Sequence, residues 1–243
     1  MDVTVVYIHH NCFILLAAGR TLLFDYPSAA HLPPVAAAAA RPHLDGADLV
    51  VFVSHGHADH CAPDLPDVTA TARTRRWVLS YDVPAMFPAY ADLADAVVVE
   101  PEETAQAPGM GGMEITGIES MDQGVGFLVA WQGKRLFFGG DVALWTWDRM
   151  DARASAHAEA MYWESLAPVL AAPLDLAFHN ADRRLGNWAG GEAFFRRAAP
   201  RYFVPMHAFG DTASLHAFAD KAALPPGQWF RYAAPGDTWR ITL

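Results

Sequence analysis

The segment Val51-Phe52-Val53-Ser54-His55-Gly56-His57-Ala58-Asp59-His60 constrains this chain more than any other. Residues 49–53 are wholly apolar and read as a strand buried on both faces. Three histidines and an aspartate follow at once. Side chains two apart on an extended chain point to the same side, so His55 and His57 face one position. Asp59 and His60 lie further along and face a second position beside the first. Gly56 permits a tight backbone path between the two. Imidazole and carboxylate donors suit zinc, iron or manganese, and histidine on zinc favours tetrahedral coordination. A lone histidine is usually a hydrogen-bonded core or turn residue, whereas four donors at this spacing point to a divalent cation. A Ser54–His55 nucleophile pair is discounted, because adjacent strand residues point to opposite faces.

Short apolar runs surround this segment. Residues 3–8, 13–17 and 21–26 read as strands, with Ala18-Gly19-Arg20 as a turn. The alanine-rich run 35–40 is compatible with a helix and equally with a low-complexity linker. Further strands are expected over 77–80 and 97–100, with a helix over 84–94. The second half begins near Gly109–Gly112. There 113–120, 126–131 and 134–138 read as consecutive strands, with Gln132-Gly133 as a hairpin turn. Helices are expected over 151–170, 191–199 and 213–223, and strands over 174–179, 201–206 and 238–243. The reading is an α/β chain with one domain over 1–243, built of two β-rich halves, roughly 1–108 and 109–243. Two such halves suggest two sheets packed face to face with helices outside.

A formal net charge of −10 argues against a nucleic-acid partner and favours a small-molecule substrate. The two cysteines, Cys12 and Cys61, form no CxxC pattern, so no disulfide framework or zinc knuckle is expected. No apolar run reaches the roughly 18 residues of a membrane span. The N-terminus shows no secretory signal, so the expected location is the cytoplasm, away from membranes. Oligomeric state is left open.

With the histidine motif in hand, the chain resembles the metallo-β-lactamase superfamily over nearly its whole length. The resemblance implies a four-layer αββα sandwich with one or two divalent metals, zinc first, at one edge of the two sheets. It implies a bridging aspartate in Lys134-Arg135-Leu136-Phe137-Phe138-Gly139-Gly140-Asp141, hence Asp141. It implies a last histidine after the strand over 201–206, hence His207, and a supporting aspartate in Thr21-Leu22-Leu23-Phe24-Asp25, hence Asp25. Most hydrolases of the superfamily place another histidine before the bridging aspartate, but this chain has none between Cys61 and Gly140. Asp122, in Glu119-Ser120-Met121-Asp122-Gln123, is the candidate substitute. An oxygen donor there shifts preference towards iron or manganese and can leave only one site well occupied.

The implied partition gives His55, His57 and Asp122 to one ion, Asp59, His60 and His207 to the other, and Asp141 to both. Asp59 is also the candidate catalytic residue that orients an attacking water. His9-His10-Asn11-Cys12-Phe13 is similar to the opening of ascorbate-phosphate-lactonase-like members and places His10 near the site as a supporting or substrate-contacting residue. His179 borders the cleft as a candidate substrate contact, and Trp145 and Trp147 are candidate pocket walls. The chemistry implied is hydrolysis of an ester, lactone or phosphoester by metal-activated water, whose pKa falls from about 15.7 towards 7. The alternatives are a metal-binding or iron redox protein of the same fold with an incomplete hydrolytic site, and a nuclease, which would need a basic surface that the sequence lacks.

Overall fold

The computed structural model describes residues 1–94, 96–106 and 109–243, so the expected division at residue 108 lies outside the described residues. Strands β1 (Asp2–His9), β2 (Cys12–Ala17) and β3 (Arg20–Phe24) form an antiparallel meander. Strands β4 (Asp48–Val53), β5 (Thr74–Ser80) and β6 (Ala96–Val99) extend it in parallel. The second sheet starts with β7 (Thr104–Gln106), β8 (Glu114–Glu119), β9 (Val125–Trp131) and β10 (Lys134–Phe138), all antiparallel. It continues in parallel through β11 (Leu176–Asn180) and β12 (Tyr202–Met206). The closing strand β13 (Thr238–Thr242) returns to pair with β1. The sheet orders are therefore β13-β1-β2-β3-β4-β5-β6 and β12-β11-β10-β9-β8-β7. The sheets do not follow the two sequence halves, because β7 and β13 each join the sheet of the other half.

Alternation along β1 assigns its two faces. Val3, Val5 and Tyr7 join a core shared by both sheets, while Val6 and Ile8 join a core under the helix Pro34–Leu44. That helix resolves the alanine-rich run: Ala36, Ala40 and Leu44 recur every four residues and are the buried ones. On the far side, Tyr162, Leu166, Phe194 and Phe218 cover the second sheet. The result is the αββα sandwich that the sequence implied. Two expected helices are broken by proline. The stretch over 84–94 becomes Asp82–Met86 and Pro88–Ala91, because Phe87 before Pro88 is extended, with φ −128° and ψ 108°. The stretch over 151–170 becomes Ala152–Ser165 and Ala167–Leu170, since Pro168 has no N–H to continue the ladder. Among the described residues, no helix is long and apolar enough to cross a membrane.

Phenylalanines tie the sheets together. Phe24 stacks on Phe52 at 4.7 Å and on Phe138 at 4.8 Å, and Phe52 meets Phe127 edge-on at 5.5 Å. The C-terminal ends of β3, β4, β10 and β12 and the β1–β2 turn all open on one edge of this core, the usual location of a site in sheets of this kind. Phe52→Ala is expected to cost about 3–5 kcal/mol in urea unfolding, the range for a buried aromatic. A loss below about 1 kcal/mol would contradict the role given to this contact.

Candidate metal centre

Three histidines at the sheet edge have their tautomers set by fixed acceptors. His60 Nδ1 lies 2.8 Å from Asp25 Oδ2. Asp25 also accepts the Ser54 N–H at 2.8 Å and the Ser54 hydroxyl at 2.8 Å. The Ser54 N–H and hydroxyl both donate to this buried carboxyl, and as a carboxylate it can only accept from His60, whose Nδ1 then carries the proton. The Ser54 hydroxyl spends its proton on Asp25, so it accepts from His55 Nδ1, 3.0 Å away. His207 Nδ1 lies 3.0 Å from Asp182 Oδ2. In its neutral form each imidazole therefore aims an Nε2 lone pair into the same space. The Nε2 atoms of His55 and His60 are buried and have no hydrogen-bond partner among the described residues. An unmet buried polar atom costs about 1–3 kcal/mol, a cost that a coordinated cation removes.

Asp141 stands between two groups of donors. Its Oδ2 is 3.7 Å from His55 Nε2, whereas its Oδ1 is 3.4 Å from His60 Nε2 and 3.2 Å from His207 Nε2. His55, His57 and Asp141 place ligand atoms within 4.8 Å of one another, as do His10, His60 and His207. Asp59 Oδ2 is 4.0 Å from His60 Nε2. Asp122 flanks the first group, with its Oδ2 3.8 Å from His57 Nδ1, and its side chain stays 46% exposed. The donor types and their unmet lone pairs thus fit one or two divalent ions.

The backbone closes tightly on this edge. Ser54 is held between two loops, and a Cβ at Gly124 or Gly140 would collide with it. Both glycines have positive φ, +69° and +53°. Between the first two histidines, the Gly56 N–H donates to Asp82 Oδ2 at 2.8 Å, and Gln123 Nε2 donates to the same oxygen at 2.7 Å. The buried Asp82 therefore ties the histidine loop to the loop that carries Asp122.

Two expectations need correction. Ser54 and His55 do touch, because β4 ends at Val53 and the next residues leave the strand alternation. No nucleophile results, since the hydroxyl is fully buried and committed to Asp25. His179 does not border the cleft. It is fully buried, with Nε2 2.9 Å from the Tyr162 hydroxyl, Nδ1 2.8 Å from the Asn180 carbonyl and its ring stacked on Phe194. Strand alternation explains this, because the next residue, Asn180, faces the centre and donates to Asp141 Oδ1 at 3.5 Å. Asp182, Ser54 and Asp82 carry structural support that the sequence reading did not assign. Asp182 had one available signal, since it follows β11 on the side of Asn180.

A cleft of about 430 Å³ opens over the centre. Trp145, Trp147, Phe209 and Arg184 line it together with His57, Asp59 and Asp122. Trp145 donates its indole N–H to the Asp141 carbonyl at 3.0 Å and lies edge-on to His207. The Arg184 guanidinium lies 4.6 Å from the Phe209 ring and binds Asp182 through Nε and Nη2.

The charges are strongly coupled. Burial pulls the His60 imidazole down, but the Asp141, Asp25 and Asp59 carboxylates outweigh it and raise it to about 9. Burial alone would raise Asp141, yet His60 and His207 hold it well below the carboxylate range. Burial pushes His55 well down, and the neighbouring His60 adds to that.

A family model described as the Beta-lactamase superfamily domain matches residues 20–208. No curated protein matches the sequence. Among solved structures, the chain is similar to Igni18, a metallo hydrolase from the archaeon Ignicoccus hospitalis, with a TM-score of 0.67, 15% identity and 100% of each chain covered. It is similar to YhfI, a metallo-beta-lactamase fold protein from Bacillus subtilis, with a TM-score of 0.66, 14% identity and 99% of each chain covered. CmlA, a diiron beta-hydroxylase from Streptomyces venezuelae, gives a TM-score of 0.61 at 13% identity, with 99% of this chain and 54% of that one covered. At these identities the likeness concerns the fold.

Zinc needs the Nε2 lone pair that a proton on His60 occupies up to about pH 9. Zinc affinity is therefore expected to weaken steadily as pH falls below about 9, because the proton on His60 competes with the ion. Competition with a chelator across that window measures it, and a pH-independent affinity would contradict the assignment.

Proposed function

Because this chain belongs to the β-lactamase superfamily, we propose that it is a metal-dependent hydrolase acting on a small molecule with an ester, lactone or phosphoester bond. One observation carries this reading: buried imidazoles, each anchored through Nδ1, turn their Nε2 atoms onto the two oxygens of one buried aspartate. His55, His57 and Asp141 would hold one cation, with Asp122 beside them, and His60, His207, Asp59 and Asp141 the other. Zinc is the first candidate. When bound, such ions make water nucleophilic near neutral pH and polarise the oxygen of the bond under attack.

The chain's own groups supply the rest. Asp59 stays ionised because His10 and His60 outweigh its partial burial, so it can orient an attacking water. Trp145, Trp147 and Phe209 exclude bulk water from one wall and offer contact to an apolar substrate body. Arg184 is the lone lysine or arginine among the described residues lining the cleft. Its Nη1 makes none of the bonds to Asp182, which leaves it free for an anionic substrate group. The net charge of −10 supports a small molecule over a nucleic acid.

A second reading, an iron centre with redox chemistry, draws on Asp122. A carboxylate beside His57 enriches the oxygen donors and suits iron or manganese better than zinc. Metal analysis of purified protein, coupled to a screen of esters, lactones and phosphodiesters, separates the two readings. Retained zinc with turnover supports hydrolysis, and retained iron with a visible charge-transfer band and no turnover supports the second. His57→Ala is expected to abolish hydrolysis and metal retention at the first position. Unchanged activity would remove the catalytic role. Asp122→Ala is expected to release about one metal equivalent, and full retention would leave Asp122 a loop residue.

A further inference from the structure

One imidazole of the centre is set the opposite way from the others. His10 sits in the two-residue turn between His9 and Cys12, with φ +53°. It is buried, its ring stacks on Phe209 at 3.9 Å, and it lies edge-on to His60. The Phe209 backbone N–H donates to His10 Nδ1 at 3.2 Å. A backbone N–H can only donate, so Nδ1 carries no proton, and the neutral ring then keeps its proton on Nε2. His10 Nε2 faces Asp59 Oδ2 at 3.5 Å and has no partner in full hydrogen-bond geometry among the described residues. In their neutral forms His55, His60 and His207 offer a lone pair at the equivalent atom, and neutral His10 offers a hydrogen.

Proximity alone would make His10 a third ligand beside His60 and His207. From the tautomer we infer instead that His10 is a fixed Nε2–H donor that positions the Asp59 carboxylate, leaving coordination at that position to His60, His207, Asp59 and Asp141. This rests on the metal-centre reading above. A side chain held by Phe209 on one nitrogen turns its other N–H toward Asp59 Oδ2, the oxygen that also faces His60, and so biases that carboxylate to one rotamer while its remaining lone pairs stay open to the cation or the water. Such a donor has to be rigid to select one carboxylate rotamer, which accounts for the stacking on Phe209 and the strained turn.

The direct test is a long-range proton–nitrogen correlation spectrum of histidine-labelled wild-type protein, metal-free and zinc-loaded, with His10 assigned by its loss in His10→Gln. The expected result is a proton on His10 Nε2 and none on Nδ1 in both states. Loss of the Nε2 proton on zinc loading would overturn the inference. Zinc equivalents give an independent readout: His10→Ala is expected to keep the wild-type number, while His60→Ala loses one. An equal loss in both variants would make His10 a ligand and overturn the inference. Against any ester or lactone that the wild type hydrolyses, His10→Ala is expected to lower kcat/KM about tenfold, the effect of one charge-assisted hydrogen bond. His10→Gln, whose amide also donates, is expected to recover most of it, and no difference between the two variants would overturn the positioning role. Failure of wild-type protein to take up zinc would sink the metal-centre reading, while the metal-free spectrum would still report the His10 tautomer.

Discussion

The centre depends on two buried carboxylates that never face the cleft. Asp25 and Asp182 each take the Nδ1–H of one histidine, and Asp25 passes its effect to His55 through the Ser54 hydroxyl. Ring orientation and proton position are thereby set before any cation arrives. An imidazole free to rotate would have to give up that freedom on binding, and half of its neutral tautomers would present a proton where a lone pair is needed. The fold supplies the carboxylates from strand ends, Asp25 after β3 and Asp182 after β11, one from each sheet. The two sheets must therefore hold their relative position for the centre to exist, which makes the stacked phenylalanines between them part of the same device.

This arrangement carries conformational strain. His10, Asp25, His207 and Phe209 all adopt positive φ. Each costs of order 1–3 kcal/mol for a residue with a side chain, and the concentration of four at one edge marks where the rest of the structure holds the chain against its preference. Further compression comes where Gly124 and Gly140 allow two loops to close on Ser54. Rigidity at this edge is consistent with chemistry that needs donors fixed within a fraction of an ångström.

Legibility in the sequence followed locality. His55, His57, Asp59 and His60 are contiguous, so spacing and strand context alone brought them together. Asp141 and His207 were readable only through their order after later strands, and the structure does place both beside His60. Asp182 lies 25 positions from His207, and nothing local links the two. Ser54 was misjudged because strand alternation was extended one residue past the end of β4. Strand β7 escaped notice because three residues, Thr104–Gln106, are too few for an alternating pattern to stand out. The helix over 151–170 was read from helical periodicity and strong helix formers, and that over 84–94 as a segment between strands, while Pro88 and Pro168 decided their breaks. His179 shows the converse: a histidine after an apolar run looked functional, and alternation turned it into the core.

Anomalous diffraction at the zinc edge from zinc-soaked crystals tests the account most directly. The expected result is a peak at about 2.0–2.1 Å from the Nε2 atoms of His60 and His207, with Asp141 in contact and His10 Nε2 outside bonding distance. Crystals soaked in excess zinc that show no peak between His55, His60, His207 and Asp141, or a peak bonded elsewhere, would contradict it.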